Sequence, residues 1–242
     1  MLLTSSDNQV TRQITLLYCL SSCTVLPLSA FILHLTGGHL LAGSTKAIPL
    51  FIPLLFFELI KWCYHHIIFD KDLKVKKTNR FGNMSIIYRH IDLVESIKGI
   101  IIYCLGTIMF FVAAVLFGAE IMSKHEETLM FGAFVSLLTV FPMTLHTGRQ
   151  AVMKFMANQP APNMFHKLFY RTFQFTLAGA WVGAAYIPLD WDRAWQAWPI
   201  TCSFGALIGN ILGYIFILVQ HFVFGSHGVF GKKKKSFSGK YN

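Results

Sequence analysis

Six runs of about twenty mostly apolar residues, set apart by charged or turn-forming stretches, dominate this chain. They lie at about 14–35, 48–69, 97–117, 129–146, 172–187 and 200–224. A helix rises about 1.5 Å per residue, so about twenty residues cross the roughly 30 Å of hydrocarbon in a bilayer. Only 13% of the 242 residues are charged, with mean hydropathy +0.52, where a soluble domain has about 25% charged. With lipid as the solvent, the backbone must satisfy its own polar groups, and helices do so within each segment. The expected fold is an all-α integral membrane protein with six transmembrane helices. It forms a single polytopic domain over residues 1–242 with a basic tail at 225–242.

Lysine and arginine resist translocation, so their distribution orients the helices. One side has Arg12; Lys71, Lys74, Lys76, Lys77, Arg80 and Arg89; Arg149, Lys154, Lys167 and Arg171; and Lys232, Lys233, Lys234, Lys235 and Lys240. The other side has only Lys46, Lys124 and Arg193. Both termini are therefore expected to be cytoplasmic, and the first run, with no small-residue cleavage site after it, reads as a retained anchor. The net charge of +10 has no aqueous domain to display it, which excludes nucleic acid as a partner. Cys19, Cys23, Cys63, Cys104 and Cys202 all fall in or beside apolar runs, with neither disulfide nor zinc spacing, and read as packing residues.

Glu58 and Lys61 stand near the middle of the second run at i, i+3, close enough to neutralise one another where a lone charge costs several kcal/mol. Two readings follow: a buried pair that fixes packing, or, with His65 and His66, the lining of an ion or head-group path. The second would make the chain a lipid or solute transporter; a lipid phosphotransferase acting on its own is a separate alternative. Hydrolysis or metal chemistry needs convergent ligands or a nucleophile with its base. His39, Glu120, His125, Glu126, Glu127, Asp190 and Asp192 are scattered over three loops instead, so no catalytic residue, metal site or cofactor is expected.

Glycine spacing carries more information. Gly205, Gly209 and Gly213 recur at every fourth position of the sixth run, and Gly179 and Gly183 do so in the fifth. Small-xxx-small faces let helix backbones approach closely in lipid. These faces either pack on each other or dock a partner helix. The loop between the two runs reads Ile187-Pro-Leu-Asp-Trp-Asp-Arg-Ala-Trp-Gln-Ala-Trp-Pro199. Tryptophan suits the membrane interface, yet a belt alone does not require Pro188 and Pro199 at the ends or Asp190, Asp192 and Arg193 threaded among Trp191, Trp195 and Trp198. A stiffened, preshaped corner of this kind suits recognition of a protein or a polar head group.

The string Gly179-Ala-Trp-Val-Gly-Ala, that loop, then Cys202-Ser-Phe-Gly-Ala and the glycine repeat closely resemble the phosphatidylinositol-glycan biosynthesis class F proteins over Gly179 to Gly213. The resemblance implies a multi-pass protein of the endoplasmic reticulum membrane that binds and stabilises the large multi-pass glycosylphosphatidylinositol (GPI) ethanolamine phosphate transferases as a non-catalytic subunit of a hetero-oligomer. Addition of phosphoethanolamine to the GPI precursor on the lumenal side would then be the partner's chemistry. Membrane lipid, including the GPI precursor, is the other expected contact.

Overall fold

A computed structural model of the chain describes residues 5–35, 51–64, 93–120, 122–189 and 196–230. The regular elements there are helices: α1 (Ser5–Leu35), α2 (helical residues 51–64), α3 (Leu93–Leu116), α4 (His125–Leu138), α5 (Val140–Thr147), α6 (Arg149–Met156), α7 (Met164–Ala184) and α8 (Ile200–Phe230). Among the described residues, three stretches are long and apolar enough to cross a membrane: Lys98–Leu116, His125–Thr147 and Ile200–Val223. They overlie the third, fourth and sixth apolar runs of the sequence.

The fourth run is broken, and its proline explains the break. Pro142 has no N–H to donate to the carbonyl of Leu138 four residues earlier, and the helix divides at Thr139 into α4 and α5. Asn210 of α8 supplies the missing donor, its Nδ2 lying 3.2 Å from Leu138 O and 2.9 Å from Thr176 Oγ1 of α7. A buried amide thus ties three helices at the level where one of them is interrupted. The fifth run also differs from its reading at 172–187. α7 begins at Met164, where Asn163 caps it by accepting the His166 backbone N–H at 2.8 Å. His166, Lys167 and Arg171 mask that first turn and a half in a search for apolar residues.

α4–α5 forms the centre of the bundle. Of the stretch His125–Thr147, 72% is buried, against 17% of Lys98–Leu116, so α3 lies at the edge. α3 nevertheless packs closely on α4, since a Cβ at Gly132 would meet the backbone of Thr107 and Phe111. Ser136 Oγ donates to Tyr103 O at 3.1 Å across the same seam. Outward, α3 presents Ile100, Ile101, Leu105, Ile108 and Val112, and α8 presents Ile208, Leu212, Ile215, Val219 and Phe222. Such large exposed apolar surfaces suit lipid as the solvent.

The tightest seam joins α7 and α8. A Cβ at Gly179 would collide with the carbonyl of Gly205, one at Gly209 with that of Phe175, and one at Gly183 with that of Thr201. Gly205 faces Gly179 and Gly183, and Gly213 faces Thr172. The two glycine faces therefore cover each other. We expect Gly209→Leu to destabilise the solubilised chain by about 3 kcal/mol, the upper end of ordinary overpacking, because backbone must move to admit the side chain. Chemical unfolding in detergent followed by circular dichroism measures this; a change under about 1 kcal/mol would show that the seam is loose.

Candidate functional site

Charge inside an apolar bundle must find partners, and Glu58 finds them on three helices. Its Oε2 lies 2.5 Å from Lys61 Nζ one turn along α2. Its Oε1 accepts the hydroxyl of Tyr18 from α1 and lies 3.0 Å from Nε2 of His146 at the end of α5. Lys61 donates to Ser22 Oγ of α1 at 3.0 Å and sits 4.2 Å from the centroid of the Tyr18 ring. Aromatic rings enclose the group: His146 stacks on Phe169 of α7 at 5.7 Å, and Tyr18 meets His146 edge-on at 4.9 Å. Acceptor and donor are thus saturated together, the condition under which a buried ion pair holds its charge.

His65 and His66, which follow Glu58 and Lys61 in the sequence, lie outside the described residues. Among the described residues, the histidine in contact with Glu58 is His146. Its position was legible only as an isolated imidazole at the end of an apolar run, since its partner is 88 residues away.

Beside the cluster lies a cavity of about 30 Å³ lined by Ser22, Glu58, Lys61, Asn210, Tyr214 and apolar neighbours including Leu26 and Leu138. That volume holds about two water molecules.

The second candidate, the tryptophan loop, is described at its ends. Pro188 is exposed, whereas Asp190, Trp191, Asp192, Arg193 and Trp195 lie outside the described residues. Gln196 is buried, and its Nε2 donates to the carbonyls of Tyr186 at 3.0 Å and Leu189 at 2.7 Å. Trp198 donates from Nε1 to Thr128 Oγ1 of α4 at 3.0 Å and sets its ring against Phe131 at 5.3 Å. Pro199 is fully buried. One amide draws the two ends of the loop together, and one indole fastens them to the central helix. Gln196 stands in the sequence among alanine and tryptophan, where an amide with two carbonyl partners to find was the available signal.

The acidic residues near α4 have local roles. Glu120 accepts from Ser123, and Glu126 and Glu127 occupy the first turn of α4, where the helix dipole favours negative charge. Among the described residues, no three His, Cys, Asp or Glu side chains converge as a metal site would require.

The model of the GPI biosynthesis protein family Pig-F matches residues 23–218, a stretch that takes in Glu58, Lys61, His146, Gln196, Asn210 and the facing glycines. The chain belongs to the Pig-F family. A relative from Debaryomyces hansenii, named glycosylphosphatidylinositol anchor biosynthesis protein 11, is 32% identical over 74% of this chain and 70% of its own length. The Homo sapiens protein named GPI ethanolamine phosphate transferase, stabilizing subunit, is 31% identical over 49% of this chain and 55% of its own length. The Mus musculus protein of the same name is 28% identical over 51% and 57%. The matched stretch thus spans a little over half the length of the two mammalian relatives. No solved structure matches the chain.

Removing one partner of a buried ion pair strands the other. We expect Glu58→Gln to destabilise the chain by about 3–5 kcal/mol, and the double change Glu58→Gln with Lys61→Met to recover most of that loss. Unfolding midpoints of the single and double variants in one detergent provide the comparison; equal loss in both would show that the carboxylate acts apart from the lysine.

Proposed function

We propose that this chain is the non-catalytic, stabilising subunit of a GPI ethanolamine phosphate transferase, a large multi-pass partner with which it forms a hetero-oligomer in the endoplasmic reticulum membrane. The observation that carries the reading is the family match over residues 23–218, together with human and mouse relatives named as stabilising subunits of that transferase. The chain crosses the membrane six times as one polytopic domain with both termini cytoplasmic. Three helical stretches with the required length and apolarity support this, as does the excess of Lys and Arg in the tail and in the loops after the second and fourth runs. On this topology the tryptophan loop is lumenal, the side on which phosphoethanolamine is added to the GPI precursor.

A partner that binds only the folded form of the transferase raises its stability by mass action. The surface that does so must be preorganised, or ordering it would consume the binding energy. The ends of the loop from Pro188 to Pro199 meet that requirement, being clamped by Gln196 and Trp198. Asp190, Trp191, Asp192, Arg193 and Trp195 then supply the recognition groups, toward the transferase or the head group of its lipid substrate. The glycine faces of α7 and α8 are spent on each other, which leaves the loop and the outer helix surfaces for the transferase.

Affinity purification of the tagged chain from endoplasmic reticulum membranes in mild detergent, followed by mass spectrometry, tests the reading. We expect a large multi-pass transferase to co-purify, and the double change Trp191→Ala with Asp192→Ala to lower its recovery roughly tenfold or more, as loss of an interface anchor does. Recovery of the chain alone, itself transferring phosphoethanolamine, would overturn both the subunit role and the absence of catalysis.

A further inference from the structure

The elbow between α6 and α7, at the far end of α7 from the tryptophan loop, has no part in the proposed function. Gly148, with φ +79°, ends α5 and turns the chain into α6. The inner face of α6 is fixed on α7: Ala151 is buried, Phe155 packs against Tyr170 and Phe173 with ring centroids 4.7 Å away in each case, and the Tyr170 hydroxyl donates to Ala151 O at 3.4 Å. Arg149, Gln150, Met153, Lys154 and Met156 are left facing outward, with Met153 63% and Met156 59% exposed.

A face that mixes two methionines with two cations suits neither bulk water nor hydrocarbon. It suits the boundary between them, where apolar side chains enter the acyl layer and long basic ones reach the phosphates. α7 adds Lys167 and Arg171, one turn apart on the same helix. The Arg171 guanidinium lies 5.9 Å from the centroid of Phe216 on the exposed apolar surface of α8 and donates to Gln174 Oε1 at 2.9 Å, so its head stands at the border of that surface. Lys154 lies near enough to His166 that, after burial, its charge further lowers the pKa of that imidazole.

Among the described residues the ion pairs are those of Glu58 with Lys61 and His146. Glu120, Glu126 and Glu127 lie beside the start of α4, at the other end of the bundle. Arg149, Lys154, Lys167 and Arg171 thus meet no described carboxylate. The preference of basic residues for one side accounts for their presence, but not for the outward methionines interleaved with them.

We infer that the α6–α7 elbow is a binding site for the phosphate-bearing head groups of anionic phospholipid, with Lys154, Lys167 and Arg171 holding the anion and Met153 and Met156 seated among the acyl chains. The site is independent of the proposed partner and stands or falls on its own.

Native mass spectrometry of the full chain released from nanodiscs of equal parts phosphatidylcholine and phosphatidylinositol provides the test. We expect phosphatidylinositol to be retained at least fivefold over phosphatidylcholine. Each basic residue near an anionic surface contributes about 1 kcal/mol, or about fivefold, so Lys154→Gln with Lys167→Gln should abolish the enrichment. Lys154→Arg with Lys167→Arg should keep it, and so should Lys124→Gln near the opposite end. Equal retention of the two lipids, or enrichment that survives the glutamine pair and vanishes when Lys232–Lys235 are neutralised instead, would overturn the site. Displacement of the lipid by inorganic phosphate at millimolar concentration would show a free-anion site and overturn the lipid assignment. Unfolding midpoints of the variants separate lost lipid from lost fold.

Discussion

Two apolar helices in lipid gain nothing from hiding apolar surface, because the solvent is as apolar as they are, so close backbone contact must take over the role of hydrophobic burial. α7 and α8 make close backbone contact by removing side chains from the line along which they meet. Gly179, Gly183, Gly205 and Gly209 leave main chain against main chain, and Asn210 then crosses to Thr176 within the seam. Much else is set by this pairing. It fixes where α8 presents Asn210 to α4, where α7 presents Phe169 to His146, and where the tryptophan loop starts and ends.

The ionic cluster depends on that frame in turn. Glu58 is held by side chains from α1, α2 and α5, with Phe169 of α7 behind His146. No pair of these helices alone would satisfy it. Such an arrangement adds little net stability compared with apolar packing, but it penalises every other way of seating α1 and α2 on the bundle.

Local features were legible in the sequence and long-range ones were not. The apolar runs at 97–117 and 200–224 overlie Lys98–Leu116 and Ile200–Val223 to within a residue, because length and hydropathy are properties of a single segment. The glycine spacing announced close approach, but which helix would approach was left open between a neighbour and a partner. The break at Thr139 was readable in principle from Pro142 and went unread within an otherwise apolar run. His146 and Asn210 were beyond reach, since their meaning lies in groups 88 and 72 residues away. Gln196 was hidden by the tryptophans around it, which drew attention to the middle of the loop while the amide secured its ends.

The bond from Asn210 to Leu138 also makes one helix depend on another far away in the chain. Pro142 leaves the carbonyl of Leu138 without a donor from its own helix. The amide that serves it comes 72 residues later, in the last described helix. Without that amide the carbonyl of Leu138 would be a buried acceptor left unmatched, which costs about 1–3 kcal/mol. The completeness of the central helix is thereby tied to the seating of α8, the same helix that α7 holds through its facing glycines.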